Sequence, residues 1–495
     1  MTKGAPEGAK TTAAWTMVAR VVSQGAQFAT FLFAARVLGP ADFGVFAIVS
    51  AIHVLAIKLS AAGWHEFMIG WDGDDESRDN AFTLATLLGL VVGALGFIVG
   101  LGCYAFGLER QYGELTLLLS AATLFVGTTA CWGGLLYRRG RVSVVTKVQI
   151  ISDILGAGVA IGCLLLGLGV GALGFWKLAI HLGMVVGLGL ETRWIPSLRL
   201  NSAGRSRIFS YVKTMASSEL ILYVQANAGT LLLGVFLGAG PVGIFRAAAR
   251  LVGALAEVIG ETIVSVSWSV LRRAKVAYEG SAAAGGGESP SLLTVASQLL
   301  TVILLLTAPP FGGLAVAADS LVTLLLGAEW ASAGPLVSIM AVGRFIAMPA
   351  LLITPLLTLT SQVQYLPRVR LVTGTATVLA VASFGPFGVT AAALGQVLAA
   401  AVGTIAALRV YQARIGLQWL RSIHRSTPSL LAVAVMVVAV VGLRQVDEVP
   451  RMDMWVRCGF DIAVGMVAYG AAFLSLGGKR ALLASTRFSS HGLAE

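Results

Sequence analysis

Apolar runs of about 20 residues recur from one end of the chain to the other, and at 1.5 Å of rise per residue a helix of that length crosses a hydrocarbon layer about 30 Å thick. That feature dictates the solvent. Of the 495 residues 57% are hydrophobic and only 12% charged, with a mean hydropathy of +0.85, whereas a soluble domain carries roughly 25% charge. In lipid every backbone N–H and C=O needs an internal partner, which leaves helices or a closed barrel. A barrel requires alternation with a period of two, and the runs show none. The chain therefore reads as an all-α polytopic membrane protein. About fourteen spans are predicted, over residues 13–38, 41–62, 80–107, 114–136, 147–168, 170–190, 209–237, 241–270, 292–317, 334–360, 371–386, 388–409, 428–443 and 455–477.

Lys and Arg concentrate in alternate connections. With the N-terminus inside, the outer loops hold only Arg110, Arg444, Arg451 and Arg457, while Arg138, Arg139, Arg141, Arg193, Arg272, Arg273, Arg368, Arg370 and most other basic residues lie inside. Basic loops stay in the cytoplasm, so both termini are expected there. The net charge of +11 is spread over many loops, which argues against a nucleic-acid groove. Cys103, Cys131, Cys163 and Cys458 stand singly in apolar segments and read as small core residues.

Catalytic motifs are absent. Gly169, Gly171 and Gly174 fit a dinucleotide pattern but fall at a turn between spans, without the strand that such a site needs. No metal-ligand spacing, nucleophile elbow or paired carboxylates occur, so no enzyme activity and no cofactor is expected. Gly89, Gly93, Gly96 and Gly100 have the small-residue spacing that lets membrane helices approach closely. Pro349 and Pro355 predict a kink in the tenth span.

Ionisable residues inside the spans carry the functional signal, because a central charge costs roughly 2.5–3.5 kcal/mol even on the lenient insertion scale. Arg20, Gln24 and Gln27 share one face of the first span, and Arg246, Arg250, Glu257 and Glu261 share one face of the eighth, within about 60° in each case. The bland alternatives are a snorkelling arginine and an Arg–Glu lock between helices. His53 reads as a hydrogen-bonded core histidine, and Asp153, Lys177, His181, Glu219, Asp319 and Arg344 are single intramembrane ionisables. On the stripe geometry, Arg20 could pair with Glu257 or Glu261 and leave Arg246 and Arg250 open.

Three stretches carry a family resemblance. Arg36-Val37-Leu38-Gly39-Pro40 with Phe43-Gly44, then Asn227-Ala228-Gly229-Thr230 through Gly234, Gly238, Gly243, Phe245 and Ala248, then Gly327-Ala328-Glu329-Trp330 with Ala333 and Pro335, resemble the polysaccharide transport family of flippases, in the superfamily that includes multidrug and lipid II exporters. Asn227 and Phe245 depart from the acid and the tyrosine common there.

The resemblance implies two six-helix lobes around a central cavity, with two further helices at the C-terminus. The expected division is 1–192 for the first lobe, 193–208 for a cytoplasmic linker, 209–415 for the second lobe, and 416–495 for the extra helices and tail. The implied cargo is an oligosaccharide on a polyprenyl diphosphate, turned from the cytoplasmic to the outer leaflet of a bacterial inner membrane by alternating access, with membrane lipids and other polysaccharide assembly proteins as partners. Candidate cavity residues are Arg20, Gln24, Gln27, Tyr223, Asn227, Arg246 and Arg250. Candidates for coupling or helix pairing are Glu219, Glu257, Glu261 and Asp319. Competing readings are a drug or small-molecule antiporter, a lipid II flippase and a non-transporting scaffold.

Overall fold

The computed structural model is all-helical throughout its described residues, which are 7–61, 63–70, 75–194, 205–283, 291–445 and 454–486. Two compact units, Met1–Gly243 and Ile244–Glu495, divide inside one long helix. The first contains α1 (Glu7–Val37), α2 (Pro40–Ala61), the short α3 (Trp64–Ile69), α4 (Asp75–Ala105), α5 (Arg110–Thr123), α6 (Val126–Arg138), α7 (Val142–Leu165), α8 (Gly171–Thr192) and α9 (Arg205–Leu237), and it ends in the first residues of α10 (Ala239–Ala283).

Small residues set its packing. The glycine stripe of α4 lies on α5: a Cβ on Gly89 would come 2.8 Å from the Leu124 carbonyl oxygen, and one on Gly100 equally close to the Leu117 side chain. The fourth expected span is two helices, α5 and α6, broken at Leu124 and Phe125. The Thr129 hydroxyl serves the break by donating to the carbonyls of Phe125 and Val126, at 3.1 and 3.0 Å. At the end of α8, Arg139 donates to the Thr192 carbonyl at 3.0 Å, and the Arg78 guanidinium lies 4.7 Å from the Trp194 ring. Most of the basic linker beyond Trp194 lies outside the described residues, as do residues 284–290 of the glycine-rich loop.

The first two stretches of the family resemblance meet here. A Cβ on Gly44 would land on the Ala239 carbonyl oxygen, and one on Gly243 on the Pro40 carbonyl oxygen. The motif glycines are thus the point where the starts of α2 and α10 cross backbone to backbone. Since a carbonyl cannot rotate away as a side chain can, Gly243→Ala should cost at least the about 1–3 kcal/mol typical of overpacking. Thermal unfolding in detergent and membrane abundance test this; an alanine variant as stable as the parent would show that the crossing is loose.

The second unit holds the rest of α10, then α11 (Leu292–Leu326), α12 (Gly334–Ala347), α13 (Ile353–Leu359), α14 (Leu366–Phe384), α15 (Val389–Val410), α16 (Trp419–Leu443), α17 (Met454–Ser475) and α18 (Gly478–Thr486). Its core joins Leu271 of α10 to Leu300 and Phe311 of α11, Ala341 of α12, Leu356 of α13 and Ala407 of α15. The kink expected at Pro349 is a 3-10 turn, Met348–Leu352, between α12 and α13. Pro349 has no amide to give, and carbonyls around the turn find side chains instead: Thr404 donates to Ile346 at 2.9 Å, and Tyr411 to Pro349 at 3.1 Å. A 3-10 turn at Gly385–Phe387 separates α14 from α15.

The C-terminal pair is bound firmly into this unit. Ser422, Ser426 and Ser429, spaced along one face of α16, donate to the carbonyls of Ser297, Thr301 and Leu305 on α11 at 2.8, 3.4 and 3.3 Å. Farther along, Arg444 at the C-terminal end of α16 and Asp461 in the first half of α17 form an ion pair at 2.6 Å.

Eleven helical stretches among the described residues are long and apolar enough to cross a membrane. Outside that set stand α1, α9 and α10, although they are 31, 33 and 45 residues long. These three carry nearly all of the polar candidates. α10 is about 67 Å long at the usual helical rise, more than the about 30 Å a hydrocarbon layer requires, and Arg272, Arg273 and Lys275 belong to its far half.

Candidate substrate site

On α9 the candidates fall at one-turn intervals and turn toward α2. Glu219 pairs with Lys58 at 2.7 Å. The Tyr223 hydroxyl donates to the Ala51 carbonyl at 2.7 Å, and the Asn227 amide donates to the Tyr223 carbonyl at 3.3 Å. Both Tyr223 and Asn227 are buried. This face therefore joins α9 to α2, and the Tyr223 hydroxyl is already engaged.

On α1, Gln24 is exposed and Gln27 half-buried, while the Arg20 side chain lies outside the described residues. Between them Ser23 donates to a carboxylate oxygen of Asp153 on α7, which also accepts from Gln149 at 3.1 Å. Asp153 is only 1% exposed, so this bonded carboxylate belongs to the interior of the first unit. Sequence alone marked it as a lone charge; Gln149, one turn away, was the available signal, whereas Ser23 is 130 residues distant. His53 is a core histidine, its Nδ1 3.2 Å from the Thr123 hydroxyl, with its ring 6.2 Å from that of His181.

On α10, Leu255, Ala256, Ile259 and Ile263 pack into the core of the second unit, while Glu257 and Glu261 are exposed. The charged stripe thus faces away from that core. Arg250 is not open as its residue spacing suggested: its Nη1 lies 3.9 Å from a carboxylate oxygen of Glu257, seven residues on. Two helical turns put both on the same face, so the stripe begins to neutralise itself without Arg20. Arg246 is different. It is half-buried, has no hydrogen bond or ion pair among the described residues, and has Arg250 as a like-charged neighbour. Asp319 stands apart, near the end of α11, with its carboxylate against Gly334 at the start of α12.

Among the described residues the arrangement offers one uncompensated guanidinium and a second that is weakly opposed, one turn apart on α10. Paired guanidiniums in such a setting suit the oxygens of a phosphate or carboxylate, which they can hold bidentately. No group of three or more metal-ligating side chains occurs among the described residues.

Comparison with known proteins bears on the family and the fold. Residues 33–335 match the model of a family described as polysaccharide biosynthesis protein. The succinoglycan biosynthesis transport protein ExoT of Rhizobium meliloti (strain 1021) is 23% identical over 349 residues, 69% of this chain and 67% of that protein. The teichuronic acid biosynthesis protein TuaB of Bacillus subtilis (strain 168) is 24% identical over 150 residues, 30% of this chain and 29% of that protein. Among solved structures, the lipid II flippase MurJ in an inward closed conformation superposes with a TM-score of 0.71 at 12% identity, over 95% of this chain and 99% of that one. An inward-facing multidrug resistance transporter of the MATE family superposes with a TM-score of 0.58 at 14% identity, over 81% and 94%. The structural likeness is one of fold. With the family model covering more than half of its length, the chain is a multi-pass membrane protein that belongs to the polysaccharide biosynthesis protein family.

Proposed function

We propose that the protein is a flippase that turns a polyprenyl-diphosphate-linked oligosaccharide from the cytoplasmic to the outer leaflet for cell-surface or exopolysaccharide assembly. The observation that carries this reading is Arg246, half-buried on α10 beside Arg250, with no counter-ion among the described residues. A guanidinium so placed is costly, and a diphosphate would relieve both charges at once. Membership of the polysaccharide biosynthesis family supports a glycan cargo.

In this mechanism Arg246 and Arg250 hold the diphosphate, with Arg20 adding charge from α1. Gln24 and Gln27 offer the sugar amide donors and acceptors, and the polyprenyl tail stays in lipid. The lobes 1–192 and 209–415 would rock about a central cavity on the linker 193–208, with residues 416–495 as an added pair of helices and a tail. Cation coupling falls to Glu219, Glu257, Glu261 or Asp319, since the amide of Asn227 does not titrate. Both termini are assigned to the cytoplasm of a bacterial inner membrane. A cysteine placed at Ser281 should then react with an impermeant reagent only after permeabilisation, and reaction in intact cells would invert the assignment.

The deciding experiment is reconstitution in vesicles with labelled polyprenyl-diphosphate oligosaccharide, read as cargo newly exposed on the opposite leaflet. Lipid II and a cationic dye serve as competing cargoes. Movement of the oligosaccharide in preference to both supports the proposal. Preference for lipid II or for the dye would make the protein a lipid II flippase or a drug antiporter, and no movement of any would favour a scaffold.

A further inference from the structure

From Trp330 to Val446 the sequence contains no Asp or Glu, yet it carries eight arginines, among them Arg368, Arg370, Arg409, Arg414, Arg421 and Arg425. Two of these are brought together. Tyr365 ends the 3-10 turn that leads into α14, and Arg414 lies in a π-helical turn, Tyr411–Ile415, at the C-terminal end of α15. The spans Val363–Phe387 and Val389–Ile415 form an antiparallel hairpin, which puts both turns at the same membrane face. The guanidinium of Arg414 lies 4.6 Å from the centroid of the Tyr365 ring, and that of Arg368 lies 5.5 Å from it.

The ring therefore gathers two like charges. Both arginines are exposed, and neither has an ion pair among the described residues. The π-helical turn contributes directly: an extra residue in the helical ladder rotates the side chains beyond it by about 100°, and π-turns frequently mark functional sites. Beside the cluster, the Trp419 indole donates to the Gln412 side chain at 3.2 Å, and tryptophans are enriched where membrane helices meet the headgroups. Leu371 and Leu420 present exposed apolar surface next to it.

We propose that Tyr365, Arg368 and Arg414 form a site for the phosphate of an anionic phospholipid headgroup. Both guanidiniums donate to the phosphate oxygens while stacked on the ring, and an acyl chain runs along the apolar surface at Leu371. The missing counter-charge comes from the bilayer. A lipid held there ties the α14–α15 hairpin to the junction with α16.

The test is native mass spectrometry of the delipidated full-length protein titrated with phosphatidylglycerol, phosphatidylcholine or inorganic phosphate. Selective retention of phosphatidylglycerol is expected. At about 1 kcal/mol per basic residue near a membrane surface, each lost charge weakens retention about fivefold, and the double variant Arg368→Gln/Arg414→Gln about 30-fold. Arg421→Gln/Arg425→Gln, equal in charge and on the same face, should stay within about twofold of the parent. Arg368→Lys/Arg414→Lys keeps the charge but loses the planar fork and should bind at an intermediate level; it decides the matter if the glutamine pair fails to fold. Equal loss in both glutamine pairs, or parental binding by the lysine pair, would reduce the site to general surface charge. Equal retention of phosphatidylcholine, or inorganic phosphate binding as tightly as the lipid, would overturn the assignment to an anionic phospholipid.

Discussion

Asp461→Ala should destabilise the second unit by about 3–5 kcal/mol, the usual cost of removing one partner from a buried ion pair. Asp461 accepts from Arg444 through both oxygens, at 2.6 and 3.3 Å, and from Ser320 at 2.9 Å; Arg444 also donates to the Val316 carbonyl at 2.8 Å. One carboxylate thus connects α11, α16 and α17, and its side chain is only 2% exposed, against 18% for Arg444. Without it the guanidinium stays buried with the Val316 carbonyl as its remaining partner. Unfolding in graded denaturing detergent should show the loss. The double variant Arg444→Met/Asp461→Leu should recover most of it, because apolar residues of similar volume often replace a buried pair at little cost. A single alanine variant as stable as the parent would mean that the serine contacts of α16 suffice to hold the C-terminal pair. If those helices serve only to attach the tail, transport should survive any variant in which the rest of the unit stays folded.

That ion pair also marks a limit of reading the chain residue by residue. Span length and hydropathy were enough for the class of the fold and approximately for the number of spans, because hydrocarbon thickness leaves little choice. Pro349 announced a kink, which the structure makes a 3-10 turn, since a missing amide acts locally. Arg444 instead read as an outer-loop charge, because its partner is 17 residues away beyond a connection. The break at Leu124 and Phe125 had no proline to signal it, and Gly127 just beyond it sits where a Cβ would land on the Ala85 carbonyl oxygen of α4. In the candidate site, the stripe on α10 was legible from helical rotation alone, but which charges oppose each other was not. Helical spacing allowed Glu257 to meet either Arg250 or a neighbouring helix, and the structure takes the nearer choice. Tyr223 could have turned toward cargo or toward α2; only the Ala51 carbonyl decides it.

Arg246→Ala/Arg250→Ala should abolish measurable flipping while membrane abundance stays near that of the parent. Each charge-assisted hydrogen bond lost costs about 1.5–3 kcal/mol, so each single variant should weaken cargo binding about tenfold or more and the pair about a hundredfold. Arg246 should be the more sensitive, because it has no other partner among the described residues, whereas Arg250 already has Glu257 at 3.9 Å. Lysine at either position keeps the charge without the bidentate fork and should leave partial transport. Glu257→Gln separates the two roles open to the stripe. If Glu257 only locks the helix, removing its charge lowers abundance and transport together. If it competes with cargo for Arg250, the glutamine variant binds cargo at least as tightly as the parent and folds normally, because this face of α10 points away from the core of its unit. Normal flipping by the double alanine variant would end the case for a diphosphate site on α10, and a fall in abundance that matches the fall in transport would return the arginines to a structural role.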